Sequence, residues 1–336
     1  MWKNPKVLYS KMYLVTNSVT AMSYDTINFK LQQSEVNGCI FIEEIPCYLN
    51  NVSEHYYSDG SVAVVGDVGG YRVSVNRKQL KVKDCSLTKW FLGDNFKEMS
   101  RGDTQRAIEK LSDLIHVPMD KAVVTRLDFA INIITKHPVT VYLNHLGELN
   151  HYCRMEQPTS LYYTQNKEQF VFYDKVKEQK RAGGIIPELY RDRQVLRIEQ
   201  RYMKRVPDRL KYPYVSGAML YDVEFFNMLY RRLGDTYKSI KKINDFIINI
   251  EAMKSKKDLY KLGVLSLIQQ AGGLTEMIEQ IKEAQRTGEL TKKQALDLRT
   301  AVNEASKVKD EIVVPNEAIA ELDEKINKAI KFNLSY

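Results

Sequence analysis

Apolar and polar residues alternate with period two through the first two-thirds of the chain, and apolar spacing near 3.6 residues takes over in the last third. The alternation predicts strands over 24–31, 38–45, 61–68, 71–82 and 122–133, with 194–203 completing a sheet. SLYYTQNKEQFVFYDK (160–175) predicts a hairpin whose polar turn is 165–168. Helices are expected over 87–92, about 103–115 and about 139–153. The second carries Ala107, Ile108, Leu111, Leu114 and Ile115 as one apolar stripe. Gly183, Gly184 and Pro187 mark 181–192 as a loop. Beyond Pro213 five segments have helical spacing, beginning with DVEFFNMLYRRL. The expected architecture is α+β: an antiparallel central sheet with flanking helices over 1–215, then an all-helical region over 222–336, with the boundary near 215–222 and the tail separable from any chemistry before Tyr214.

Three of these strands carry charge where apolar residues would be ordinary. In AVVTRLDFAINI, Arg126 and Asp128 are two apart and share a face, opposite Leu127, Phe129 and Ile131. In QVLRIEQRYM, Arg197, Glu199 and Arg201 share a face; in FVFYDK, Val171, Tyr173 and Lys175 do. Ionised groups are seldom placed in apolar strands unless paired or used. Within one antiparallel sheet they would form a phosphoryl-transfer inventory: carboxylates for a divalent cation, arginines for phosphate oxygens, and a phenol to attack. The alternative is that Arg126 with Asp128 and Arg197 with Glu199 are structural ion pairs bridging strands.

Composition sharpens the choice of partner. The 336 residues carry a net charge of +8, and 167–214 holds 13 Lys or Arg against 7 Asp or Glu. Surplus cation of that kind favours a polyanion. Arg201, Lys204, Arg205, Arg209 and Lys211, interleaved with Tyr202, Tyr212 and Tyr214, suit single-stranded DNA or else a solvated basic face. Four scattered cysteines without C-x-x-C spacing read as reduced packing residues. The amino-terminal stretch lacks a signal-peptide core, and no apolar run reaches 18 residues, so a cytoplasmic protein with no membrane partner is expected.

Ordered motifs then carry a resemblance. Asp25-Thr26 opens the first strand; Lys89, Gly93 and Asn95 lie in CSLTKWFLGDN; R-x-D falls at Arg126 and Asp128; Y-x-K-x-x-E at Tyr173, Lys175 and Glu178; R-x-E at Arg197 and Glu199. In this order the chain, from about Tyr24 to Leu210, resembles the gene II and gene X replication initiators of filamentous phages and plasmids, and is close to the replication-initiation-factor relaxases. The resemblance implies site-specific nicking of one strand at an origin, a 5′-phosphotyrosyl link through Tyr173, and later rejoining. It implies Lys175, Arg126 and Arg197 as catalytic partners, single-stranded and duplex origin DNA as ligands, and a host helicase and polymerase as further partners. The five histidines include no His-x-His pair, so Mg²⁺ or Mn²⁺ held by Asp128 and Glu199, with Asp25 as a third candidate, is expected. Lys89, Asn95, Arg201, Lys204 and Arg205 are candidate DNA contacts, although Ser86 and Gly93 could equally make the Lys89 segment a capped structural helix. A relaxase for conjugative mobilisation and a non-catalytic origin-binding protein are the competing readings.

Overall fold

The computed structural model describes residues 23–243, 247–248, 255–271, 273–307, 313–314 and 317–334. The amino-terminal reading therefore lies outside the described residues. Ten strands form one wholly antiparallel sheet: β1 Ser23–Gln32, β2 Asn50–Tyr56, β3 Val62–Val68, β4 Tyr71–Val75, β5 Gln79–Lys83, β6 Val123–Thr135, β7 Cys153–Gln157, β8 Ser160–Gln165, β9 Glu168–Asp174 and β10 Gln194–Tyr202. Their spatial order is β2-β3-β4-β5-β1-β6-β10-β9-β8-β7. Described helices are α1 Phe41–Glu44, α2 Leu87–Leu92, α3 Arg101–Ile115, α4 Val139–Asn144, α5 Lys175–Arg181, α6 Val206–Leu210, α7 Val223–Lys238, α8 Lys256–Gln270, α9 Leu274–Arg286, α10 Lys292–Lys307 and α11 Glu317–Leu334. The α+β architecture is the expected one.

Period two buries one sheet face. Tyr24, Ile27, Phe29, Val73, Val82, Leu127, Phe129, Phe170 and Phe172 are all fully buried, at roughly 1.5–3 kcal/mol for each large side chain removed from water. Helix α7 covers part of this face: Phe226 meets Tyr24 edge-on at 6.0 Å, and Tyr237 approaches Phe172 at 6.5 Å. Tyr24 donates to the carbonyl of Leu220 at 2.8 Å.

Several local expectations are corrected. The segment 38–45 is not a strand but the single turn α1: Phe41 N–H donates to Gln33 Oε1 at 2.9 Å and Ile40 N–H to Glu44 Oε1 at 2.7 Å, and Pro46 follows. The segment 71–82 is a hairpin, because Asn76 Oδ1 accepts from Lys78 and Gln79 N–H, both at 2.9 Å, and turns the chain. Helix 139–153 stops at Asn144, where the backbone joins another segment: Gly147 N–H donates to Lys241 O at 2.8 Å. A Cβ on Gly147 would lie 2.7 Å from that oxygen. Leu114 faces outward, 37% exposed. Strands β2 and β7 and helix α5 were not expected; the two strands are edges with mostly exposed residues, so they lack the alternation that marks the others. Cys47 and Cys153 are exposed, so of the four free cysteines only Cys39 and Cys85 are half-buried.

The chain forms two compact units, one of residues up to Ile243 plus those from Glu321 onward, the other 244–320. The division falls at 243 rather than 215–222 because the apolar stripe of α7 is spent on the sheet. Helix α11 returns to the first unit: Tyr142 donates to Glu321, Tyr237 to Asp323 at 2.6 Å, and Lys325 to the Ile134 carbonyl at 2.6 Å. The second unit closes α8, α9 and α10 around Leu265, Ile268, Ile281, Ala295, Val302 and Ala305.

Candidate active site

Strand register assembles the charged face. Arg201 on β10 stands opposite Asp128 on β6, and Arg197 lies between Asn132 on β6 and Tyr173 on β9. Glu199 lies between the small positions Ala130 and Val171. On β1 the register slips between Tyr24 and Ile27, three residues of β1 spanning two of β6. Such a bulge changes which way side chains project. Asp25, which strict alternation would place with Ile27 and Phe29, lines the charged pocket instead.

That pocket, about 680 Å³, is lined by Asp25, Lys89, Asn95, Arg126, Asp128, Tyr173, Lys175, Glu178, Glu199 and Arg201 among others. Asp25, Asp128, Glu178 and Glu199 each meet a cation. Arg126 grips Asp128 with Nη2 at 2.6 Å and Nε at 3.1 Å, and Arg201 Nη2 reaches Glu199 at 2.9 Å. Both pairs lie within a strand rather than across strands. Arg197 is wholly buried below them; it donates to Asp25 at 2.7 Å, Asn132 Oδ1 at 3.1 Å and the Asn95 carbonyl at 3.0 Å. It does not line the pocket, so it can act only by holding Asp25 and the Asn95 loop and by its field.

Two helix ends place the remaining groups. Asp174, at the end of β9, accepts from Lys177 N–H at 2.9 Å and starts α5, so Lys175 sits in its first turn, buried, with Nζ 2.7 Å from Glu178. The Lys175 ammonium is 5.9 Å from the Tyr173 ring centroid. Ser86 caps α2 and Gly93, at φ 90°, ends it, which positions both Lys89 and Asn95 at the pocket wall. The capping and lining roles coexist. Lys204 and Arg205 are exposed and lie outside the pocket; Arg205 is 3.9 Å from Asp208.

Burial sets the protonation chemistry. Desolvation pushes the Asp128 carboxyl up to about 7 against the pull of Arg126, and Glu199 adds to the rise. The Asp128 side chain is 1% exposed and that of Arg126 32%, so burial weighs on the carboxylate more than on its partner. Asp25 moves the other way: burial would raise it, but Arg197, Ser86 and Lys175 together hold it below the usual range. Burial raises the Tyr173 phenol well above 10, with Arg197 opposing and Glu199 adding. Lys175 is lowered by burial and by Arg197. The Tyr173 hydroxyl makes no hydrogen bond among the described residues.

Asp128 and Glu199 suit a hard cation that keeps most of its waters: both are oxygen donors on an open polar pocket, and the charge of Glu199 disfavours that of Asp128. The expected third ligand is not with them. Among the described residues no three His, Cys, Asp or Glu side chains gather to hold a metal, because Asp25 is committed to Arg197. Sequence reading also missed pocket members. Gly69 and Trp90 meet where a Cβ on Gly69 would lie 2.4 Å from the indole nitrogen, and the Gly69-Gly70 pair was the available signal. Asn132, on the same face as Arg126 and Asp128 by period two, was legible and passed over.

An antiparallel sheet sets a phenol, carboxylates paired to arginines, and a lysine around one open pocket, groups that phosphate-ester chemistry uses. The chain belongs to the Phage_CRI family, the N-terminal region of the replication-associated protein of phage gene II, whose family model matches residues 22–222. The gene II resemblance is thereby met. A solved rolling circle replication initiator protein from Geobacillus stearothermophilus is similar at 12% identity and a TM-score of 0.37, over 63% of this chain and 84% of that one. No curated protein matches the chain. Among the described residues no helix is long and apolar enough to cross a membrane.

Proposed function

We propose that the protein nicks and rejoins one strand of origin DNA to start rolling-circle replication, with Tyr173 as the covalent nucleophile. The observation that carries this reading is the unpartnered Tyr173 hydroxyl in a pocket that also presents Asp128, Glu199, Lys175 and Arg126. The Tyr173 oxygen attacks phosphorus, the bond from phosphorus to the 3′-oxygen breaks, and the 3′-hydroxyl leaves with a proton. The phenol must lose its own proton, and no carboxylate is hydrogen-bonded to it among the described residues, so that proton leaves through water in the open pocket. Lys175 bears charge on the nascent phenolate ester, and Arg126 and Arg201 exchange their carboxylates for phosphate oxygens when DNA enters. Arg197 is a positioning residue. Asp128 and Glu199 would also hold Mg²⁺ or Mn²⁺, which when bound supplies positive charge against the scissile phosphate.

The same family chemistry would serve a relaxase. Nothing in the pocket favours transfer over replication, and the family match supports replication. The non-catalytic reading draws on the two in-strand ion pairs, which satisfy Asp128 and Glu199 without DNA. A labelled single-stranded origin oligonucleotide separates the two. The enzyme leaves a protein–DNA adduct that survives denaturant; a binder releases all its DNA. The unit of α8, α9 and α10, with Lys256, Lys257, Lys292 and Lys293 at its surface, is assigned to duplex origin DNA, with the host helicase and polymerase acting after the nick.

A further inference from the structure

The polar face of the sheet continues past the pocket. Asn28 stands opposite Arg126, and Lys30, two residues on, stands opposite Lys81 on β5. Lys81 in turn faces Ser74 on β4, and Lys83 faces Arg72. Cross-strand partners share a face, so Lys30, Lys81, Lys83 and Arg72 lie on the side of the sheet that carries Arg126 and Asp128. Their neighbours Phe29, Leu31, Val73, Leu80 and Val82 fill the buried side.

These four cations form no ion pair among the described residues. Asp67, opposite Arg72, takes its hydrogen bond from Asn51 at 3.2 Å. Like charges set opposite one another cost stability, and Lys81 registers the crowding: its pKa is lowered by burial and then by Lys83 and Lys30. A bound polyanion would relieve that repulsion. Both ends of the row open into hollows. Asp84, next to Lys83, lines the active-site pocket. At the other end Lys81 lines a second hollow of about 370 Å³ with Ser74, Asn76, Gln79, Tyr57, the last 56% exposed, and Asp59, whose carboxylate accepts from Ser61 N–H at 2.9 Å and Oγ at 2.6 Å. Cations flanked by an accessible aromatic are what a flexible single strand uses, phosphates on the charges and a base on the ring.

We propose that Lys30, Lys81, Lys83 and Arg72 form the track along which the phosphate backbone of single-stranded DNA runs between the active-site pocket and the hollow beside Tyr57. The inference rests on the nicking reading for its substrate but not for its geometry. It adds a set of contacts on β1, β4 and β5, away from Arg201 and the basic residues that follow it.

The test is the salt dependence of binding to fluorescein-labelled oligo(dT), followed by anisotropy. Each single-strand phosphate contact contributes a slope of about 0.7 in log Kd against log salt. The triple variant K30Q/K81Q/K83Q is expected to bind more weakly, with a slope lower by about 2. The control K238Q/K241Q/K328Q, which removes three exposed charges elsewhere, is expected to keep the wild-type slope. If thermal melting shows the triple variant to be unfolded, K81Q alone is expected to lower the slope by about 0.7. An unchanged slope in the variant, or an equal fall in the control, overturns the track. If wild type forms its covalent adduct while the slopes agree, only the track falls; if wild type binds no single strand, the nicking reading falls with it.

Discussion

Asp128 shows how burial governs a charge in this site. Its folded pKa, about 7, lies above the ordinary 3.8, so the folded protein holds that proton more tightly than the unfolded chain does. The stability this group contributes is complete below pH 3.8 and is lost as pH rises through about 7. D128N, which stays neutral, is therefore expected to melt higher than wild type at about pH 8 and close to it at about pH 3.5, as read by calorimetry. In nicking assays D128N should be slower than wild type at every pH and should need more Mn²⁺ to reach its own maximum. A D128N enzyme with the wild-type rate and metal dependence would remove Asp128 from the cation-binding role. The charged positions on β6, β9 and β10 were legible because period two assigns faces without any knowledge of partners. The orientation of Asp25 was not, since a bulge depends on the register of two strands that are distant in sequence. Nor was the depth of Arg197, whose burial follows from Asn95 and Asn132 closing over it.

At the scale of elements, the joint between β9 and α5 delivers both Tyr173 and Lys175. Sequence reading extended the strand to Lys175 and missed the helix, because 181–192 looked like a loop and the seven residues of α5 are too few to show a period. Asp174, buried and accepting from Lys177 N–H, is the signal that was available. Replacing it with Ala removes the cap at a cost of about 1 kcal/mol and frees Lys175 to leave the pocket. D174A is expected to show a lower Tm in thermal melting and slower adduct formation, with D174N, which can still cap, recovering both. Equal losses in D174A and D174N would mean that the charge of Asp174, rather than its cap, is what matters. Short, strongly patterned elements such as α2 were read to the residue, because Ser86 and Gly93 mark both ends. The segment 71–82 was read as one strand because its turn rests on a single Asn76 side chain.

Across the whole molecule, the helical tail has two destinations. Periodicity showed that helices follow Tyr214, but an amphipathic stripe does not say which surface it covers. Helix α7 and the end of α11 pack in the sheet unit, and α8, α9 and α10 bury one another. A chain ending near residue 220 would lack Phe225, Phe226, Leu229, Tyr230 and Tyr237, all buried. It is expected to lose cooperative unfolding and to aggregate, whereas the full chain melts cooperatively. A well-folded, active 1–220 fragment would show that α7 is dispensable. The central claim concerns Tyr173, whose ring and hydroxyl belong to different parts of the account: the ring packs beside Lys175, and the oxygen does the chemistry. Wild type and Y173F are incubated with a 5′-labelled or 3′-labelled single-stranded origin oligonucleotide and Mn²⁺, adducts are resolved on a denaturing gel, and the modified peptide is mapped by mass spectrometry. The expected result is a wild-type adduct at Tyr173 that retains the DNA 3′ of the nick, and no adduct or rejoining in Y173F despite undiminished DNA binding. An adduct of undiminished yield in Y173F, or one mapped to another tyrosine in wild type, would contradict the assignment.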